Sequence, residues 1–235
     1  MDAISAEVAP DLSGETYLEP AEFIDSNDPD IIAFAQDVTR DAETPAEKAV
    51  ALYYAVRDRV RYDPYVAIAD PESYRASTCL KTGRGFCIAK AGLLAACARV
   101  VGIPARVAYA DVRNHLCTPR LREVMGTDVF KNHGYTELQL DGRWIKVTPT
   151  FNVELCEKFG VLALDFDGRN DALLHPFDKG GRRHMEYTAY SGSFVDVPAD
   201  MLSQAMLDIY GADACEELRR MGGDFAAEAA QDGSI

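Results

Sequence analysis

The segment "NHGYTELQLDGRWIKVTPT" (132–150) constrains the fold most, because Asp141-Gly142 reads as a two-residue hairpin turn and so sets a strand register. Residue i then faces residue 283 − i, which puts Glu137 against Lys146, Tyr135 against Thr148 and His133 against Thr150. Side chains alternate across the pleat, so Leu138, Leu140, Ile145 and Val147 form the face expected to meet a core. His133, Tyr135 and Glu137 share the more polar face with Lys146, Thr148 and Thr150. Thr148 is the diagonal cross-strand neighbour of His133, within about 7–8 Å.

A second segment, "GRGFCIAKAGLLAACARVVGIPARV" (83–107), sets Cys87 between a glycine-rich turn and a helix predicted from about Phe86 to Val101. Gly102 stops that helix and Pro104 keeps it from resuming. The following "ARVAYADV" alternates as a strand. Upstream, Asp28 caps a helix that has Pro29 at its first position. Thr44 and Glu47 form a capping box for another, whose face carries Ala49, Leu52, Tyr53, Val56 and Val60. Residues 63–85 read as a loop, and 113–131 as irregular apart from a short helix at "PRLREVM".

Past the hairpin, "FNVELCEKFG" reads as a short helix, and "VLALDFDG" and "RHMEYTAY" as strands. "PADMLSQAMLDIYG" and "ADACEELRRM" read as two closing helices, and "FAAEAAQDGSI" as a frayed acidic tail. Helices first and strands later indicate an α+β domain. The expected organisation is an N-terminal arm (1–20), a catalytic domain (21–195), and C-terminal helices with the tail (196–235).

The formal net charge of −14, spread along the chain, disfavours a nucleic-acid or anionic-membrane surface, since either needs a basic patch. No apolar run approaches the roughly 18 residues of a membrane-spanning helix, and the N-terminus does not read as a secretory signal. With that N-terminus, six cysteines without a CxxC read as reduced thiols of a cytoplasmic protein.

"GRGFC" opening a helix, "GIPARV" closing it, "HGYTEL" on a strand and "GRWIKVTPT" returning together resemble the transglutaminase-like cysteine enzymes, most closely their bacterial branch. The resemblance covers roughly 50–152 and has the Cys and His blocks in the family's order. It implies a papain-like core, with a Cys-bearing helix packed on an antiparallel sheet. It also implies Cys87 as nucleophile and His133 as base. The family's third residue is an Asp in a D-P-T sequence, and this chain has Thr148 at that position. No metal or organic cofactor is implied, and the partner is a peptide or small amide substrate.

Chemistry agrees with that assignment of roles. A free thiol is only a few per cent thiolate at pH 7. A helix dipole supplies typically about 0.3–1 kcal/mol, less than one pKa unit. A strongly acidified thiol therefore needs a cation, and protonated His133 is the expected one. Thr148 can orient the imidazole by a hydrogen bond but cannot supply charge, whereas Asn152 offers an amide of the kind papain-like enzymes use. The sequence leaves both open as third residue.

Tyr135, Arg113 and His115 are candidate substrate contacts. His115 and Cys117 have metal-ligand spacing, but the second pair of a zinc site is missing. His175 and His184 flank a turn-rich loop as surface residues, and Trp144 serves packing. The expected activity is cysteine-dependent acyl transfer on an amide, by hydrolysis or transamidation. The rival is a silent relative that binds a peptide or ligand in the same cleft.

Overall fold

The computed structural model describes residues 14–114, 123, 126–174, 180–181, 185–221 and 225. The short helix expected at "PRLREVM", apart from Glu123, and His115, Cys117, His175 and His184 lie outside them.

Local caps start the first helices as the sequence predicts. The Asp28 carboxylate accepts from the Asp30 and Ile31 amides at the head of α1 (Pro29–Thr39). Thr44 and Glu47 form the reciprocal capping box of α2 (Pro45–Arg59). The stretch expected to be a loop holds more order. A two-residue strand β1 (Arg61–Tyr62) pairs in parallel with β2 (Arg84–Gly85). Between them lie a 3-10 turn (Pro71–Tyr74) and α3 (Ala76–Thr82), which ends at Gly83 in the left-handed region.

The Cys-bearing helix α4 (Cys87–Val100) is central. Residues 88–99 are buried without interruption, and the helix packs on α1, α2, α3 and the sheet. A helix enclosed on every side must pair its charges internally. Lys90 Nζ donates to the carbonyls of Arg57 (2.9 Å) and Val60 (2.6 Å), at the end of α2. Arg99 donates to the carbonyls of Ala105, Glu19 and Val195.

The sheet is antiparallel in the order β5-β4-β3-β6, built from β3 (Ala105–Asn114), β4 (Val129–Leu140), β5 (Arg143–Val147) and β6 (Met185–Phe194). The hairpin register holds from Leu140↔Arg143 to Thr136↔Val147. It then ends, because the Thr148 amide turns away to the Ala172 carbonyl. Leu138, Leu140, Ile145 and Val147 join the core, and Thr136 Oγ1 donates to the Ala91 carbonyl of α4.

Helix α5 (Val153–Lys158) follows the hairpin, and α6 (Ala199–Met221) closes the described chain. Gly211 breaks α6 into the two expected helices. The predicted strand "VLALDFDG" does not form. Its backbone is satisfied by α2 side chains instead: Tyr53 and Arg57 donate to the Leu164 carbonyl, and the Phe166 amide donates to the Tyr54 hydroxyl. Among the described residues no helix is long and apolar enough to cross a membrane.

Candidate active site

Phe86 precedes α4 without a side-chain cap, so the first amides of the helix remain available to the residue that opens it. The Cys87 and Ile88 amides are directed at the Cys87 sulfur, joined by the Gly134 amide of β4. That third donor depends on glycine. A Cβ at Gly134 would lie 2.9 Å from Ile88 Cα and 3.3 Å from the Cys87 carbonyl oxygen. β5 pairs with β4 only from Thr136 to Leu140, and beyond it the start of α4 lies against Gly134.

His133 precedes that glycine and lines the same cavity as Cys87. The cavity spans about 990 Å³ when the open space at its mouth is included. Its described walls are mainly apolar, and Lys131, ion-paired with Asp111 at 2.5 Å, is the one charged side chain among them. The five described cysteines are free, and Cys87 alone among them is partly exposed. Burial pushes the Cys87 thiol up to about 11 against the pull of its three amides. Burial likewise holds the His133 imidazole down to about 4. Loss of water thus works against the thiolate–imidazolium pair expected from sequence, opposing the helix-end donors at Cys87 and favouring the neutral form of each group.

Five buried polar atoms among the described residues have no hydrogen-bond partner: His133 Nε2 and the hydroxyls of Tyr109, Thr148, Thr150 and Tyr187. They gather at this site. Thr150 lines the cavity with His133, and the Tyr187 ring is 6.1 Å from the His133 ring. Tyr187 also lies next to Thr148, and it and Tyr109 both feel the charge state of Cys87. Thr148 is buried but outside the cavity lining, whereas Thr150 reaches it. The Asn152 side-chain oxygen accepts from the Tyr62 amide at 3.2 Å and so braces β1.

The expected substrate contacts fare differently. Tyr135 is buried with Ala108 and Ala110 in a small cluster of its own, and it does not line the cavity. Arg113 is exposed and pairs with Asp128 at 3.7 Å; its neighbours Val112 and Asn114 face the cavity instead. His115 lies outside the described residues. No cluster of metal-ligating side chains occurs among the described residues. Sequence reasoning missed Tyr210 of α6, which lines the cavity with Cys87 and His133, and Tyr187 of β6, whose ring lies beside that of His133. It also missed Phe225, assigned to the tail but buried in the cavity wall.

Residues 32–149, half of the chain, match a family model described as the transglutaminase-like superfamily. Among solved structures, the chain is similar to a candidate cysteine protease from Cytophaga hutchinsonii. The identity is 20%, with 83% of this chain and 52% of that one covered and a TM-score of 0.49. A candidate protease from Parabacteroides distasonis is 17% identical, with 57% and 24% covered and a TM-score of 0.36. The chain thus spans about half the length of the first of these proteins and a quarter of the second. No curated protein matches it.

Proposed function

The chain belongs to the transglutaminase-like superfamily, and from that premise we propose that it is a cysteine-dependent acyl-transfer enzyme that cleaves an amide or peptide bond. One observation carries the reading: the one partly exposed cysteine among the described residues opens a helix under three backbone amides, in a cavity it shares with a buried histidine.

Chemistry starts from the neutral pair. His133 takes the thiol proton as Cys87 Sγ attacks the substrate carbonyl, so charge forms only as the new C–S bond does. The amides at the start of α4 and at Gly134, which act on the sulfur in the free protein, supply the donors for the developing oxyanion in this reading. The imidazolium returns its proton to the leaving amine, the C–N bond breaks, and a thioester remains on Cys87. Water then gives up a proton to His133 and releases the acid, and the proton goes back to sulfur. An amine in place of water gives transamidation. The hydroxyls of Thr148 and Thr150 are the neutral groups available to orient the ring, and neither adds a counter-charge.

The test is intact-protein mass spectrometry after mixing with a panel of peptide anilides and esters. The expected result is an acyl adduct on Cys87 that hydroxylamine removes. The adduct is absent in Cys87→Ala and forms about 10²–10⁴-fold more slowly in His133→Ala. The raised thiol and the Thr at the family's Asp position favour a second reading, a non-catalytic peptide-binding cleft. Peptide binding without any adduct across the panel selects that reading and removes the first.

A further inference from the structure

The cavity has an aromatic recess that one of the chain's own side chains fills. The Phe225 ring lies 5.8 Å from Tyr62, 5.9 Å from Tyr65 and 5.5 Å from Phe159, with interplanar angles of 61°, 84° and 48°. Such tilted and edge-on contacts suit the quadrupole of an aromatic ring and so select a flat ring over an aliphatic chain of similar size. Tyr62, Phe159 and Phe225 line the same cavity as Cys87 and His133.

The recess does not depend on α6 for its shape. Tyr62 belongs to β1, its amide is held by Asn152, and its ring is backed by Phe151 at 4.9 Å. Phe159 caps α5, whose first amide is held by the Asp58 carboxylate at 3.0 Å. The element that leads to Phe225 is held more lightly. Of residues 211–220, only Cys215 and Leu218 are buried. The Arg219 and Arg220 ion pairs go to Glu216 on the same helix. Few buried apolar contacts mark a segment of low local stability.

We propose that this recess is a binding subsite for an aromatic side chain of a peptide substrate, and that Phe225 occupies it in the free protein as an intramolecular competitor. The proposal rests on the acyl-transfer reading for the word substrate, but the recess and its occupant stand on geometry alone. An occupied subsite lowers apparent affinity by the fraction of molecules in which it is open. Removing the occupant raises affinity only for ligands that use the same recess.

The experiment compares Cys87→Ala with Cys87→Ala/Phe225→Ala by titration calorimetry, using acetyl-Ala-Phe-Ala-amide and acetyl-Ala-Ala-Ala-amide. The expected result is a gain of about tenfold or more in affinity for the Phe peptide in the double variant, with no gain for the Ala peptide. Equal gains for both peptides, or none, overturn the proposal. Should Phe225→Ala fail to melt cooperatively, Phe225→Leu in the same background replaces it. A folded Leu variant with no Phe-selective gain makes Phe225 a core side chain and equally overturns the proposal. Because neither protein carries the thiol, Phe-selective binding alongside a failed acylation test would remove the catalytic reading and leave this one intact.

Discussion

Of the helices that reach the cavity, α4 and α6 are held in opposite ways. In α4 residues 88–99 are all buried, and its cations Lys90 and Arg99 are spent on backbone carbonyls of other elements. In the last part of α6, only Cys215 and Leu218 are buried between 211 and 220, and the arginines pair with their own helix. A nucleophile needs its position fixed to a fraction of an ångström, which a helix locked on every side supplies. A wall that must yield to a ligand belongs on an element with few anchors. Substitutions on the two sides should therefore differ in kind as well as in size.

The largest effect is expected at Gly134, where α4 meets the sheet. In Gly134→Ala the new Cβ meets backbone atoms of Cys87 and Ile88, which have no rotamer to yield. We expect a stability loss of about 1–3 kcal/mol from overpacking and a fall of about 10²-fold in acylation rate as the thiol shifts. Denaturant melts and the acyl-adduct assay measure the two. Unchanged acylation would show that α4 is not held as rigidly as its burial implies.

Next come two buried titratable groups, Lys90 of α4 and His133 of β4. Desolvation brings Lys90 down from its ordinary 10.5 to about 7. Between those values the unfolded chain holds the proton and the folded one does not, so stability rises with pH, by about 1.4 kcal/mol per unit. Below pH 7 both states are charged and the slope vanishes. Lys90→Met should flatten the rise between pH 7 and 9, read from urea melts at each pH.

His133 works in the same sense at lower pH. Its folded value near 4 lies below the unfolded 6.5, so stability is complete above pH 6.5 and is lost as pH falls towards 4. The loss totals about 3 kcal/mol. His133→Gln should remove that acid limb while leaving the alkaline one. If the limb persists in the variant, the histidine is more hydrated than its burial indicates.

What the sequence made legible follows the same division between local and long-range causes. The caps of α1 and α2, the Gly102 stop and the Asp141-Gly142 turn are set by residues within a few positions, and each forms as predicted. Hairpin arithmetic held to Val147 and no further. The chain leaves the sheet where Thr148 bonds Ala172, so Thr148 and Thr150 were placed by a register that had already ended. The two-residue pairing of β1 with β2 has no periodicity to read. "VLALDFDG" alternates in burial as a strand does, but its hydrogen-bond partners are side chains some 110 residues upstream. Tyr62, Tyr187 and Tyr210 reach the site from β1, β6 and α6, and no spacing announces them. The Cys87 and His133 blocks were legible as a family pattern; the burial that disfavours charge on both side chains emerges only when the chain closes around them.

The smallest effect is expected on the other side of the comparison. Glu216 receives Arg219 at 2.6 Å and Arg220 at 2.8 Å, the best-formed ion pairs of the last helix. Both arginines are exposed and Glu216 is partly so, so water competes for each partner and holding long side chains in one geometry costs entropy that the attraction barely offsets. Glu216→Gln should leave the melting temperature unmoved within error at ordinary salt, and leave the acylation rate as it was. A cooperative loss of stability in this variant would mean that the last helix is coupled to the core as tightly as α4. The contrast between a fixed Cys87-bearing helix and a yielding wall would then fail, and with it the physical ground for expecting Phe225 to give way to a ligand.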